Sequence, residues 1–395
     1  MNRPAFADTL LVAAAAAIAP VAVLAPNGLA GLLAVARGGI ALCDPQVRRL
    51  ASVPRAILAI FAALFAFALA SCLWAPDPAE GLDGIVRSAA AGLAGLAALS
   101  KALRLESAQT ARLRTALLDG FCVALGVLLV EMLSGVLMAP HDSMFVRLFG
   151  ESAASVSYLN RSKTVLALLL PLALALAWRR FGARAAAAMA VACAAAFVAG
   201  ESMAAALALT AAIAGAAAFR IAGPRAVAAI LVACVLAAPL ATKLPFFDKL
   251  AHRRDLSVSI YHRASIWQFV GARIADKPVL GWGMHASRTM PGGHDSIGGE
   301  AEQIPLHPHN APLQIWLELG GIGAALLAAL LGFLAVNSNG PPLRRVVLGA
   351  TLVTAVSVAS LSYGIWQGWW FATLWLLAAL AAAASPESLG RRGAS

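Results

Sequence analysis

The chain has 395 residues, is 61% hydrophobic and only 12% charged, and carries a formal net charge of +11. So little polar surface cannot cover a water-soluble globule, and so apolar a chain is not disordered. Its basic residues are dispersed in pairs and do not form one aromatic-laced patch, which excludes a nucleic-acid-binding protein.

Apolar stretches close to the ~20 residues that cross a bilayer core recur along the whole length. In chain order they are 6–25, 28–43, 56–74, 84–100, 115–137, 162–178, 185–199, 203–219, 226–242, 311–334, 346–362 and 367–384. They predict an all-α polytopic membrane protein with about twelve transmembrane helices. Arg3 before the first run resembles a signal peptide, but an uncleaved span fits better, since nothing after it reads as a secreted domain.

Lys and Arg set the orientation. With the N-terminus inside, the inner connections carry Arg48, Arg49 and Arg55; Lys101, Arg104, Arg112 and Arg114; Arg179, Arg180 and Arg184; Arg220 and Arg225; Arg344 and Arg345. Short outer connections such as Pro76-Asp77-Pro78-Ala79-Glu80 are acidic or neutral. Both termini then lie in the cytoplasm, and the polar stretch 243–310 becomes one large periplasmic loop between the ninth and tenth helices. The chain divides into 1–242 with helices 1–9, the loop 243–310, and 311–395 with helices 10–12 and a tail.

The loop gathers Lys243, Lys249, Arg253, Arg254, Arg263, Arg273 and Arg288 with most of the histidines, and ends Leu306-His307-Pro308-His309-Asn310. A membrane protein that concentrates titratable groups in one extramembrane loop is expected to do its chemistry there. A neutral histidine at the membrane surface can take a proton from a hydroxyl. His309 is the candidate base, His307 its rival, and Asn310 stands beside them where the loop meets the tenth span. Glu318, the eighth residue of that span, either orients a neighbour or locks two helices together.

Arg161, with Lys163 two residues on, opens the sixth span on the outer face, against the positive-inside trend, and so is a candidate for holding an anion. Arg263 lies on a predicted amphipathic surface helix with Ile260, Ala264, Trp267 and Val270 on its apolar face, ended by Pro278. Arg253 and Arg254 add charge nearby. The cysteines Cys43, Cys72, Cys122, Cys193 and Cys234 sit in or beside apolar runs and read as small apolar residues. No metal-ligand spacing, phosphate loop or dinucleotide glycine pattern is present, so neither metal nor cofactor is expected.

Several motifs resemble the O-antigen ligase and polymerase superfamily: Arg263 with Trp267, Asp276-Lys277-Pro278-Val279-Leu280-Gly281-Trp282-Gly283, then His309-Asn310 with Leu313-Gln314 and Glu318-Leu319-Gly320. Asn160-Arg161 and Leu73-Trp74-Ala75-Pro76 are similar too, as is the layout of spans and loop. One departure is Glu201-Ser202-Met203, where many members have a serine-arginine pair. The resemblance implies transfer of a glycan from undecaprenyl pyrophosphate to a hydroxyl, for a ligase one on the lipid A core, at the outer face of the inner membrane. It implies His309 as base, Arg161 and Arg263 on the pyrophosphate, inversion and no metal. Polymerase and protein O-oligosaccharyltransferase readings stay open within the family. A transporter without chemistry is the alternative of a different class.

Overall fold

The computed structural model describes residues 3–44, 46–137, 156–199, 202–251, 258–298 and 301–384. Among the described residues nine α-helices precede the loop: α1 (Arg3–Leu24), α2 (Leu29–Cys43), α3 (Arg55–Ser71), α4 (Pro78–Ala102), α5 (Ser107–Leu137), α6 (Val156–Phe181), α7 (Ala183–Ala199), α8 (Met203–Ile221) and α9 (Gly223–Ala241). The loop contributes α10 (Pro245–Ala251), α11 (Val258–Asp276), α12 (Ala286–Thr289) and an antiparallel pair, β1 (Ser296–Gly298) with β2 (Ala301–Glu302). Then come α13 (Ala311–Asn337), α14 (Pro342–Ala359) and α15 (Gly368–Ala384).

Every apolar segment expected from the sequence overlaps one of these long helices. Among the described residues ten helices are long and apolar enough to cross a membrane, α2 being so when taken with the turn before it as Pro26–Cys43; α7 and α15 are apolar but shorter, so the expected dozen becomes ten and two short companions. Helix ends also run past the apolar runs. Asp77 caps α4 by accepting from Ala79 and Glu80 N–H at 2.9 and 3.1 Å, with Pro78 behind it, so α4 starts before the apolar run at 84. Apolarity marks the stretch that meets lipid or core, whereas caps mark where the helix begins.

The short α15 is apolar all round and buried on every side, with Trp370 and Ala379 fully enclosed and contacts to α2, α4, α5 and α6. It is the axis of the bundle. Exposed Leu73, Val35, Val191 and Ile213 lie on outward faces, as lipid contact requires. All five cysteines are free.

The loop is not loosely draped. The apolar face of α11 (Ile266, Val270, Ile274) is buried against Leu313 and Leu317 of α13 with Met290 and Ile304. Of the face expected to lie on the membrane, Ala264 and Val270 are buried and Trp267 packs against the same cluster, so those residues are used inside the protein. Segment 278–283 docks on α13 where that helix breaks at Gly320 (φ 58°, ψ −160°). Trp282 and Gly283 donate to the Leu317 and Glu318 carbonyls freed by the break, both at 2.8 Å, and Gly321 donates to Pro278 O at 2.8 Å. A Cβ on Gly320 would lie 2.3 Å from Val279 O, so the crossing demands glycine.

Candidate functional site

The loop's final residues are clamped from three sides. Asn310 caps α13, accepting from Leu313 N–H at 3.0 Å. Trp267 of α11 donates from its indole to Pro308 O at 2.8 Å. Between them His309 sits at φ 53°, a left-handed conformation rare for a residue with a side chain, and its N–H donates to His307 Nδ1 at 3.1 Å.

The two histidines have different electronic roles. His309 Nδ1 lies 2.7 Å from Ser362 O. A carbonyl can only accept, so Nδ1 carries the proton, and in the neutral ring Nε2 presents a lone pair. Among the described residues Nε2 has no protein partner. Burial, joined by Arg263 and His262 and opposed by the Ser362 bond, holds the His309 pKa below the usual 6.5. His309 is therefore neutral near pH 7 with an open acceptor.

His307 is buried, and its pKa is pushed down to about 3, by burial first and then by His309, Arg288 and Arg263. Its Nδ1 is committed as acceptor from His309 N–H, so Nε2 carries the proton. The Gln367 amide lies 3.0 Å from that Nε2, and this tautomer calls for the amide oxygen on that side. The same orientation gives the Gln367 oxygen, otherwise buried without a partner, its donor. The ring of His307 stands edge-on to that of His309 at 4.3 Å between centroids.

Arg161 and Arg263 both lie half-buried around Tyr363, which feels the charge of each. Asn27 Oδ1 accepts from Arg161 at 2.9 Å, and the guanidinium lies 5.5 Å from the Trp369 ring centroid. Among the described residues the hydrogen-bond contact of Arg263 is to Met203 Sδ at 3.9 Å, so the residue that departs from the superfamily pattern touches it. Burial pulls the Arg263 pKa down, with Tyr363 opposing. Among the described residues neither arginine has a carboxylate within ion-pair distance. Lys163 is buried within α6. Arg253 and Arg254 lie outside the described residues.

Glu318 meets neither histidine nor arginine. Fully buried, it accepts from Ser287 Oγ at 2.6 Å, Gln314 Nε2 at 3.0 Å and Trp366 Nε1 at 2.7 Å. Its geometry is that of a tie between α12, α13 and the connection 360–367. Among the described residues no group of three or more His, Cys, Asp and Glu comes together.

The sequence reading missed the connection 360–367. Ser362 O takes the His309 proton bond, Tyr363 stands by the arginines, and a Cβ on Gly364 would lie 2.8 Å from His307 Cγ. Ile365 N–H donates to Gln314 Oε1 at 2.9 Å, and Trp366 and Gln367 reach Glu318 and His307. The available signal was a polar, aromatic interruption, Tyr363 to Gln367, between two apolar runs. Also missed was Glu80 at the start of α4, which joins His285 at 3.1 Å and Arg288 at 3.6 Å.

Residues 152–328, a stretch running from the sixth helix through the loop into the broken α13, match the O-antigen ligase family model, so this part of the chain is similar to that family. Relatives carrying the provisional name of polysaccharide ligase are similar over a shorter stretch. One from Rickettsia conorii is 35% identical over 136 residues, which is 33% of each chain. One from Rickettsia prowazekii is 33% identical over 136 residues, 33% of this chain and 34% of the relative. One from Rickettsia felis is 32% identical over 157 residues, 36% and 39% of the two chains. The matched stretch thus spans little more than a third of these relatives' length.

Proposed function

We propose that this protein is a membrane glycan ligase that transfers a glycan from undecaprenyl pyrophosphate to a sugar hydroxyl of the lipid A core. Transfer occurs at the periplasmic face of the inner membrane. The orientation rests on the basic inner connections, and on the grouping of the uncompensated arginines with the loop.

The observation that carries the reading is the His309 tautomer. Nδ1–H is spent on Ser362 O, and Nε2 is left as an acceptor near Arg263, which with Arg161 flanks Tyr363; among the described residues neither arginine has a carboxylate. In the transfer, the acceptor hydroxyl oxygen bonds to the anomeric carbon as its proton passes to Nε2. The bond from that carbon to the pyrophosphate oxygen breaks with inversion, and the electron pair leaves on the polyprenyl pyrophosphate. Arg161 and Arg263 hold the phosphates and meet the charge that grows there. Because pyrophosphate is a good leaving group and two guanidiniums stabilise it, the step is written without a metal or cofactor. Asn310 and His307 fix the base, and Glu318 fixes the frame around it. Lys163, Arg253 and Arg254 are supporting charges.

The test is a reconstituted reaction of the purified protein with undecaprenyl-pyrophosphate glycan and lipid A-core acceptor, run in EDTA. Capped acceptor with release of undecaprenyl pyrophosphate is expected. A lengthened donor in place of capped acceptor identifies a polymerase. Lipid movement across vesicles without product identifies the transporter reading and defeats this one.

A further inference from the structure

The base depends on a backbone carbonyl, and the carbonyl depends on what holds its own residue in place. Ser362 O fixes the His309 tautomer, and the next residue, Tyr363, is tied to a different helix. Its hydroxyl lies 3.2 Å from Thr164 Oγ1 of α6. Thr164 Oγ1 itself donates to Asn160 O at 2.7 Å, so its lone pair is what meets the tyrosine and the tyrosine is the donor. The ring of Tyr363 packs edge-on to Trp369 at 4.7 Å and tilted on Trp370 at 5.1 Å. Trp369 is also the ring that Arg161 covers, three residues before Thr164 on α6. Burial raises the Tyr363 pKa, with Thr164, Arg161 and Arg263 pulling it back, so the hydroxyl keeps its proton at neutral pH.

We propose that Tyr363 is a positioning residue: its hydroxyl, anchored on Thr164, holds the Ser362 carbonyl in register with His309 and so sets the base against the arginine-bearing start of α6. This deepens the reading of His309 as the base and rests on it. Tyr363 touches neither reacting atom. It acts through the carbonyl beside it, and one residue thereby links the helix that carries Arg161 to the group that takes the acceptor's proton. The rest of 360–367 is held independently, by Gln314 at Ile365 and Glu318 at Trp366, so loss of the hydroxyl loosens one end of the connection and leaves the other.

Tyr363→Phe keeps the ring on its tryptophans and removes only the hydroxyl. One hydrogen bond of this kind corresponds to about a threefold to tenfold change in rate. Purified Tyr363→Phe should lose about that much in kcat, with donor affinity within about twofold of wild type. Thr164→Val, which removes the other half of the bond, should match it. The double variant should be no slower than either single, because both remove the same contact. In a His309→Ala background Tyr363→Phe should cost nothing more. A Tyr363→Phe enzyme with wild-type kcat, a loss that appears in donor affinity in place of kcat, or additive losses in the double variant would overturn the proposal while leaving His309 as the base. A His309→Ala enzyme at wild-type rate would remove both.

Discussion

Two groups of cations, one at the last turn of α4 and one around Tyr363, are built on opposite plans. At the last turn of α4 Lys101 sits between Asp8 at 2.6 Å and Asp44 at 3.1 Å, and Arg104 joins Asp44 at 2.5 Å. Every cation there has a carboxylate, and Asp44 and Lys101 are buried. Around Tyr363, Arg161 and Arg263 are half-buried against a tryptophan, an asparagine and a thioether, and among the described residues no carboxylate reaches either. A buried cation is costly unless paired. Where the fold alone is served, the protein supplies the pair. Where, among the described residues, it leaves partly desolvated guanidiniums without a carboxylate, the proposed reading has an anion from outside complete the site.

The largest effect expected from breaking this contrast is at the base. His309→Ala should reduce transfer by about 10²–10⁴-fold, the usual worth of a general base, while the protein inserts and binds donor normally. Substituting His307 in parallel separates the two histidines: its ring nitrogens are both engaged, so His307→Ala should misplace the base and cost less. A dead His307→Ala beside an active His309→Ala would exchange their roles.

The next effect is in pH. A base works unprotonated, so turnover falls as pH drops through the pKa of His309. Burial lowers that pKa, so the acid limb of kcat/KM should lie below 6.5 and activity should hold through mildly acidic pH. A limb displaced by one unit is about a tenfold difference in rate at a fixed acidic pH. A limb centred at or above 6.5 would mean that the titrating group is not this buried imidazole.

The smallest effect on transfer belongs to the matched cluster. Asp44→Asn strips Lys101 and Arg104 of a buried carboxylate, so thermal stability in detergent should fall by several degrees. Turnover of the folded protein should stay within about twofold of wild type. A large loss of kcat in Asp44→Asn at low temperature, where the protein is folded, would erase the distinction between the two groups of cations.

Much of this was legible in the sequence, for reasons that can be traced. Long apolar runs predict helices because lipid leaves the backbone no other partner. His309 and Arg161 stood out as polar side chains at the margins of such runs, and Arg263 as a cation on the loop's expected amphipathic helix. Pro278 to Gly283 and Gly320-Gly321 were visible as glycine-rich punctuation, and only the structure shows that they are one crossing, with the loop's N–H groups satisfying the carbonyls of a broken helix. Leu73 to Pro76 joins the same place, since a Cβ on Gly283 would lie 2.5 Å from Ala75 Cα. The connection 360–367 was not legible because its central contribution is the Ser362 carbonyl, which any residue carries. The split roles of the histidines were hidden for a similar reason: tautomers are set by partners far away in the chain, Ser362 and Gln367. The surface-helix reading of α11 failed because periodicity reports that a face is apolar, not what covers it.

The central claim is that Arg161 and Arg263 are left without carboxylates in order to hold the donor's phosphates. Binding of undecaprenyl-pyrophosphate glycan to purified wild type, Arg161→Ala, Arg263→Ala and the control Arg104→Ala tests it most directly. Each charge-assisted contact is worth roughly 1.5–3 kcal/mol. Arg161→Ala and Arg263→Ala should therefore each weaken donor binding by about tenfold or more, and their lysine variants by less, since lysine keeps the charge without the two-pronged fork. Arg104→Ala should bind as wild type does. Unchanged donor affinity in both Arg161→Ala and Arg263→Ala would contradict the account and reduce these arginines to anchors at the membrane surface.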